Sequence, residues 1–217
     1  MLAINTAFMT ANLALKTPEG KVYLKDIDAK SKHSENVLKT IEDLCEQANI
    51  NVLDVQTVAV VVGPGSFTGL RIGTAIAKAL GAVNKDLKFV GLSSLELMAY
   101  IARKRKLTKD NFVCVLNALS NLYFVAYFDV NGIKLQEEKM IDAEEFSKIA
   151  EEKIVSNGDL SLNDAQSVEI TPEDLLEFAL SKEQEKQFVE EKNLVPVYLR
   201  LSQAEDNLEK KIKKDKN

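Results

Sequence analysis

The run TVAVVV at 57–62 carries no charged or amide side chain and leads directly into GPGSFTGLRIG at 63–73. A stretch without a polar face suits a central strand covered on both sides. Gly63, Pro64 and Gly65 then interrupt it, and the apolar spacing that follows predicts a helix over 68–84. A buried strand feeding a helix commits the chain to an α/β architecture in which helices pack on a sheet.

The flanking segments extend this unit. LAINTAF (2–8), TANLALKT (10–17) and KVYLKDI (21–27) read as a strand meander, with TPEG (17–20) as the turn before its last member. A helix is expected over 34–48, where Val37, Leu38, Ile41, Leu44, Cys45 and Ala48 recur at helical spacing. KFVGL (88–92) reads as a strand and 93–106 as a helix with a basic end. In the second half, FVCVLNA (112–118) and LYFVAYFDV (122–130) read as strands. Asn131-Gly132 then predicts a tight hairpin with a return strand over 133–140. A helix over 142–152, a strand over 153–159 and a helix from Thr171-Pro172 to about residue 181 follow. Each half therefore reads as βββαβα. The expected organisation is an N-terminal lobe (1–106), a C-terminal lobe (107–201) and a frayed lysine-rich tail (202–217).

Counting removes several function classes. The single histidine, His33, rules out a paired-histidine metal site. A formal net charge of −5 argues against a broad nucleic-acid footprint. Cys45 and Cys114 lie far apart in apolar patterns, as buried reduced thiols do. No apolar run approaches the roughly 18 residues that span a bilayer, and a cytoplasmic chain with no membrane contact is expected.

The glycine-rich segment resembles a phosphate loop only superficially. GxxxxGK[ST] needs a second glycine at position 68 or 70, where Thr68 and Leu70 stand; GxGxxG also needs one at 68. Ser66 or Thr68 can cap the helix, and its first N–H groups can meet an anion, as at any helix start. On a helical wheel Gly69, Gly73, Ala77 and Gly81 form a nearly bare side, next to a bulky side of Ile72, Ile76, Leu80 and Val83. Each interior glycine costs about 1 kcal/mol against alanine, so a stripe of them implies close approach of another element. That element is either part of the same lobe or a second chain. The bare side, with Thr74, reads as a docking surface.

These motifs are shared with a known family. GPGSFTGLRIG after a buried strand, LAINTA at the start, HSE at 33–35, GLSSLELMA at 91–99, VPVYLR at 195–200 and, more loosely, VSNGD at 155–159 resemble the bacterial TsaB (YeaZ) family of tRNA threonylcarbamoyladenosine biosynthesis. The motif positions are Gly63, Pro64, Gly65, Ser66, Phe67, Thr68, Gly69, Leu70, Arg71, Ile72 and Gly73. The resemblance implies the two-lobed fold of actin, Hsp70 and sugar kinases (ASKHA). It also implies a non-catalytic subunit that binds a TsaD-type threonylcarbamoyltransferase, with a TsaE-type ATPase in the larger complex. That complex modifies adenosine 37 of tRNA, so the chain would meet tRNA indirectly. ATP and metal are expected at the partner subunits, not on this chain alone. Pairing is expected through the first-lobe helices, at Leu38, Ile41, Gly69, Gly73, Thr74, Ala77 and Gly81, with a competing homodimer through the same helices.

The chemistry of single residues bears on the missing activity. Nucleotide-hydrolysing members of such a fold end the first strand in an Asp that helps hold the metal. Here Asn5 stands there, a departure also from the family's usual Asp, and an amide is a poor Mg²⁺ ligand and no base. The second lobe has Asn117-Ala118-Leu119 in place of Asp-Ala-Arg. His33 has Val37, not a second histidine, four residues on. The alternative is an ATP-dependent phosphotransferase of the same fold, drawing its acid from Asp26, Asp28 or Asp54. A serine protease would need an elbow that the order around Ser66 lacks.

Overall fold

The computed structural model describes residues 1–28, 34–149, 151–158, 160 and 165–199. His33 and the tail at 202–217 lie outside the described residues. The first sheet is built from β1 (Leu2–Asn5), β2 (Ala11–Lys16), β3 (Val22–Ile27), β4 (Thr57–Gly63) and β5 (Lys88–Ser93), in the order β3-β2-β1-β4-β5. The second holds β6 (Phe112–Asn117), β7 (Leu122–Phe128), β8 (Lys139–Asp142), β9 (Ile154–Ser156) and β10 (Gln166–Ser167), in the order β10-β9-β6-β7-β8. Each sheet thus has an antiparallel meander and two parallel strands added beside its first strand. The two orders are identical once β6 is matched with β1. This doubled topology is the ASKHA arrangement.

Five layers result. Leu2, Ile4, Val58 and Val60 turn one face of the first sheet towards α1 (Ser34–Ala48) and α2 (Phe67–Val83), meeting Val37, Ile41, Leu44 and Ile76. The alternate residues Ala3, Ala59, Val61 and Leu92 face α3 (Ser94–Lys104) and α5 (Pro172–Gln184), through Leu95, Met98, Leu175 and Phe178. Phe112, Cys114 and Leu116 of the second sheet close on the same two helices from the other side. Val113, Val115 and Ile154 point outward to Phe146 of α4 (Ala143–Lys148). Strand alternation alone produces these three cores. β4 has six of its seven positions buried, as its composition requires.

Local capping agrees with the sequence at α5. Thr171 accepts from the Asp174 N–H at 3.2 Å, as expected; Ser93, expected as the first residue of its helix, instead caps it, accepting from the Glu96 N–H at 3.2 Å. Three further expectations change. β1 ends at Asn5, and residues 6–10 form a turn. The return strand forms at Lys139–Asp142, and the expected one survives only as a bridge between Phe128 and Lys134. Asp129 accepts from the N–H groups of Asn131 (2.9 Å) and Ile133 (2.7 Å), which closes the turn; Lys134 and Glu138 then reach α3, pairing with Glu96 and Ser93. Those polar anchors pull the chain off β7. Finally, the βββαβ frame recurs but its continuations differ in length: the 17-residue α2 joins β4 to β5, whereas residues 157–165 separate β9 from β10.

The segment after α5 returns to the first sheet. Val189 bonds Phe89 at the edge of β5 (2.9 Å), a 3-10 turn follows at Glu191–Asn193, Leu194 is fully buried, and the Val197 N–H reaches the Val62 carbonyl (2.7 Å). This strap covers the sheet edge that would otherwise offer unpaired backbone groups.

Candidate functional site

The glycine motif lies where β4, the strap, the β1–β2 turn and α2 converge. Gly63 has φ +133°, and a Cβ there would stand 2.7 Å from the Val197 carbonyl oxygen. At Gly65 a Cβ would stand 2.8 Å from the Ala7 carbonyl oxygen. The Ser66 N–H donates to that same oxygen at 2.8 Å, and the Ser66 hydroxyl caps α2 by accepting from Gly69 N at 3.2 Å. Thr6 donates its hydroxyl to the Gly69 carbonyl at 2.6 Å. That hydroxyl occupies the space a Gly73 Cβ would need, only 2.7 Å away, and Val60 sits 3.0 Å off. Each gap is filled by the chain itself. The motif is a packing device, and its N–H groups at Ser66 and Gly69 are engaged internally.

This corrects the reading of the bare side of α2. Gly69, Gly73, Thr74, Ala77 and Gly81 are all buried, and a Cβ on Gly81 would stand 2.4 Å from the Phe89 ring. Ile41 of α1 is buried as well, at 3% exposure, within the core formed with Leu2 and Val58. Among the proposed interface residues Leu38 is exposed. The first sheet approaches α2 so closely that only small residues fit, hence the bare side faces inward. Outward, α2 presents Thr68, Arg71, Ala75, Ala79, Ala82 and Val83, with Ile72 half-buried beside them. Val83, expected on a buried bulky side, is 67% exposed. This outward side is mixed: Thr68, Arg71 and the half-buried Lys78 share it with Ala75, Ala79, Ala82 and Val83, and Ile72 packs partly against the first-sheet core.

The strand-end amides are hydrogen-bonded into the scaffold. Asn5, fully buried at the end of β1, donates to the Asn12 side-chain carbonyl (2.6 Å) and accepts from the Ala7 N–H (3.0 Å). Asn12 donates in turn to the Asp26 carboxylate (2.7 Å) and to the Ile170 carbonyl (3.0 Å), tying three strands to the segment that precedes α5. Asn117 stands at the matching end of β6 and accepts from the Leu119 N–H at 2.8 Å. Asn5 and Asn117 therefore perform the same act, each capping the N–H two residues ahead in the turn that follows. At Asn117 the turn is unusual: Leu119, Ser120 and Asn121 all have positive φ, 65°, 55° and 59°. The acids considered for a phosphotransferase are likewise placed locally. Asp26 accepts from Asn12, Asp54 accepts from the Asn51 N–H at 3.1 Å, and Asp28 lies exposed beyond β3.

The strap adds a cluster that the sequence did not disclose. Tyr198 stacks on Phe67 with ring centroids 4.1 Å apart, Arg71 Nε donates to the Tyr198 hydroxyl at 2.9 Å, and the guanidinium lies 4.5 Å over Phe67. Two separate motifs, GPGSFTGLR and VPVYLR, thus meet in space. Co-occurrence in the family pattern was the one signal that could have linked them. Elsewhere Cys45 and Cys114 are free and buried, and burial pushes both thiols up. Among the described residues no helix is long and apolar enough to cross a membrane.

A family model described as "TsaD: tRNA N6-adenosine threonylcarbamoyltransferase" matches residues 27–207. This chain belongs to the TsaD family. Within it, curated likeness runs to proteins named "tRNA threonylcarbamoyladenosine biosynthesis protein TsaB". The Escherichia coli one is 31% identical over 139 residues, 64% of this chain and 59% of that protein. The one from Buchnera aphidicola of Schizaphis graminum is 28% identical over 149 residues, 69% of this chain and 70% of that protein. The chain thus spans little more than half the length of the E. coli relative. Among solved structures, YeaZ from Pseudomonas aeruginosa matches 91% of this chain and 98% of its own with a TM-score of 0.74 at 21% identity. That likeness establishes the fold, and it agrees with the doubled sheet order.

Proposed function

We propose that this chain is a non-catalytic partner subunit in the modification of tRNA adenosine 37 to threonylcarbamoyladenosine, acting in the cytoplasm. It docks a TsaD-type threonylcarbamoyltransferase, with a TsaE-type ATPase joining the larger complex, and meets tRNA only through these partners. The observation that carries the reading is the pair Asn5 and Asn117: both amides stand at strand ends, and both are committed to holding the turns that follow. An amide so engaged neither binds a metal strongly nor takes a proton. ATP and metal are accordingly assigned to the partner subunits.

The docking face in this reading is the outward side of α1 and α2, centred on Leu38, Ile72, Ala75, Ala79 and Val83. Exposed small and aliphatic residues flanked by charged ones on two neighbouring helices are suited to meeting another helix pair. A homodimer through the same face would compete with the heteromeric contact. The test is to mix the purified chain with a TsaD-type transferase and measure the mass of the intact assembly, alongside calorimetry of the chain alone with Mg-ATP. A stable heteromeric complex and no heat of nucleotide binding are expected. Tight Mg-ATP binding by the isolated chain, or no complex with the transferase, would refute the proposal.

A further inference from the structure

The strap, residues 188–199, does more than cover the edge of β5. It runs from Phe89, low on that strand, to Val62 near the end of β4, and its last described residues lie against the start of α2. Phe67 is the first residue of α2 and Arg71 stands one turn further on. Tyr198 holds both, the first by ring stacking and the second through its hydroxyl. It therefore spans two consecutive turns at the helix end that ordinarily frays, because the first N–H groups of a helix have no partners within it. Gly63 makes this possible: only without a Cβ can the Val197 backbone lie on the strand–helix junction and deliver Tyr198 to Phe67.

We propose that Tyr198 is a positioning residue for the docking helix. The strap fixes the first two turns of α2, from which the outward stripe of Ile72, Ala75 and Ala79 continues, so the face is ordered before a partner arrives. This rests on the reading of that face as the partner surface. Ordering a surface beforehand removes part of the entropic cost of association. Tyr198 itself is 41% exposed, so its removal leaves the buried cores intact.

The experiment uses the full chain and two variants, Tyr198→Ala and Tyr198→Phe, with two readouts. The first is backbone amide exchange at 67–72 in the isolated protein; the second is affinity for a TsaD-type transferase. Tyr198→Ala is expected to speed exchange at these amides about tenfold while those of β4 stay protected, and to weaken partner binding about tenfold. Tyr198→Phe keeps the stack and should restore both readouts to within about threefold of the native chain. Loss of affinity without faster exchange would make Tyr198 a direct contact and overturn the positioning role. Faster exchange with unchanged affinity would overturn it equally. If the native chain bound no transferase, the proposed function would fall. The exchange arm would then still decide whether Tyr198 orders α2.

Discussion

The inward packing of the bare side of α2 can be tested by placing one methyl group on it. In Gly73→Ala the new Cβ would stand 2.7 Å from Thr6 Oγ1 and 3.0 Å from Val60 Cγ2. Neither neighbour is the free end of a long side chain: Thr6 is fully buried and bonded to Gly69, and Val60 is β-branched in a central strand. Alanine gains about 1 kcal/mol in helix propensity over glycine. Against this, overpacking a tight core costs about 1–3 kcal/mol, and displacing the Thr6 hydroxyl removes a hydrogen bond worth about 1 kcal/mol. The balance is a loss of about 2 kcal/mol. For a chain of this size that lowers the melting midpoint by roughly 4–8 °C.

The outward stripe supplies the control. Ala79 is exposed, so Ala79→Glu should melt within about 2 °C of the native chain, yet weaken binding of a TsaD-type transferase by about tenfold or more through a buried unpaired charge. Thermal melts of both variants, with calorimetric titration of the partner, complete the comparison. A Gly73→Ala protein as stable as the native chain but unable to bind would refute this packing and restore the bare side as the interface.

Other consequences follow from the same geometry. Burial alone would raise the Asp174 carboxyl, but hydrogen bonds from Lys104 and Thr171 and the charge of Arg105 hold it below its ordinary value. A depressed carboxyl contributes stability above its unfolded-state pKa and loses it as pH falls through the folded one. Melting midpoints should therefore decline below about pH 4, and Asp174→Asn should flatten that decline; an unchanged slope would contradict the assignment. Leu119→Gly relieves a left-handed leucine whose side chain is 70% exposed, and should raise stability by up to about 1 kcal/mol. A lower urea midpoint would count against strain there. Asn5→Asp sets a buried carboxylate 2.6 Å from Asn12 Oδ1, in place of a hydrogen bond, and should cost about 2 kcal/mol at neutral pH without creating Mg-ATP binding. Native-like melting, or a nucleotide-binding isotherm, would show the site to be a dormant metal centre.

Much of the architecture is legible in the sequence because it depends on near-neighbour rules. The apolar run of β4, the Thr171-Pro172 start of α5, and the periodicity of α1 each specify an element without reference to the rest of the chain. What escapes is whatever depends on a distant partner. The return strand is displaced because Lys134 and Glu138 find α3, more than thirty residues earlier in the chain. The strap escapes because Val189 and Val197 join strands one hundred or more residues before them.

The site shows the same division. A wheel separates the two sides of α2 but carries no information about which one the sheet takes. That is decided by the Thr6 hydroxyl, which reaches the Gly69 carbonyl only across a side chain that is absent. The remaining positions turn outward, leaving Ala75, Ala79 and Val83 exposed and Ile72 only partly covered by the first-sheet core. In the function proposed above, such a face is covered by the partner. On that proposal the glycines serve a neighbour indirectly: they draw the helix onto its own sheet, and that close seat leaves Ala75, Ala79 and Val83 toward solvent.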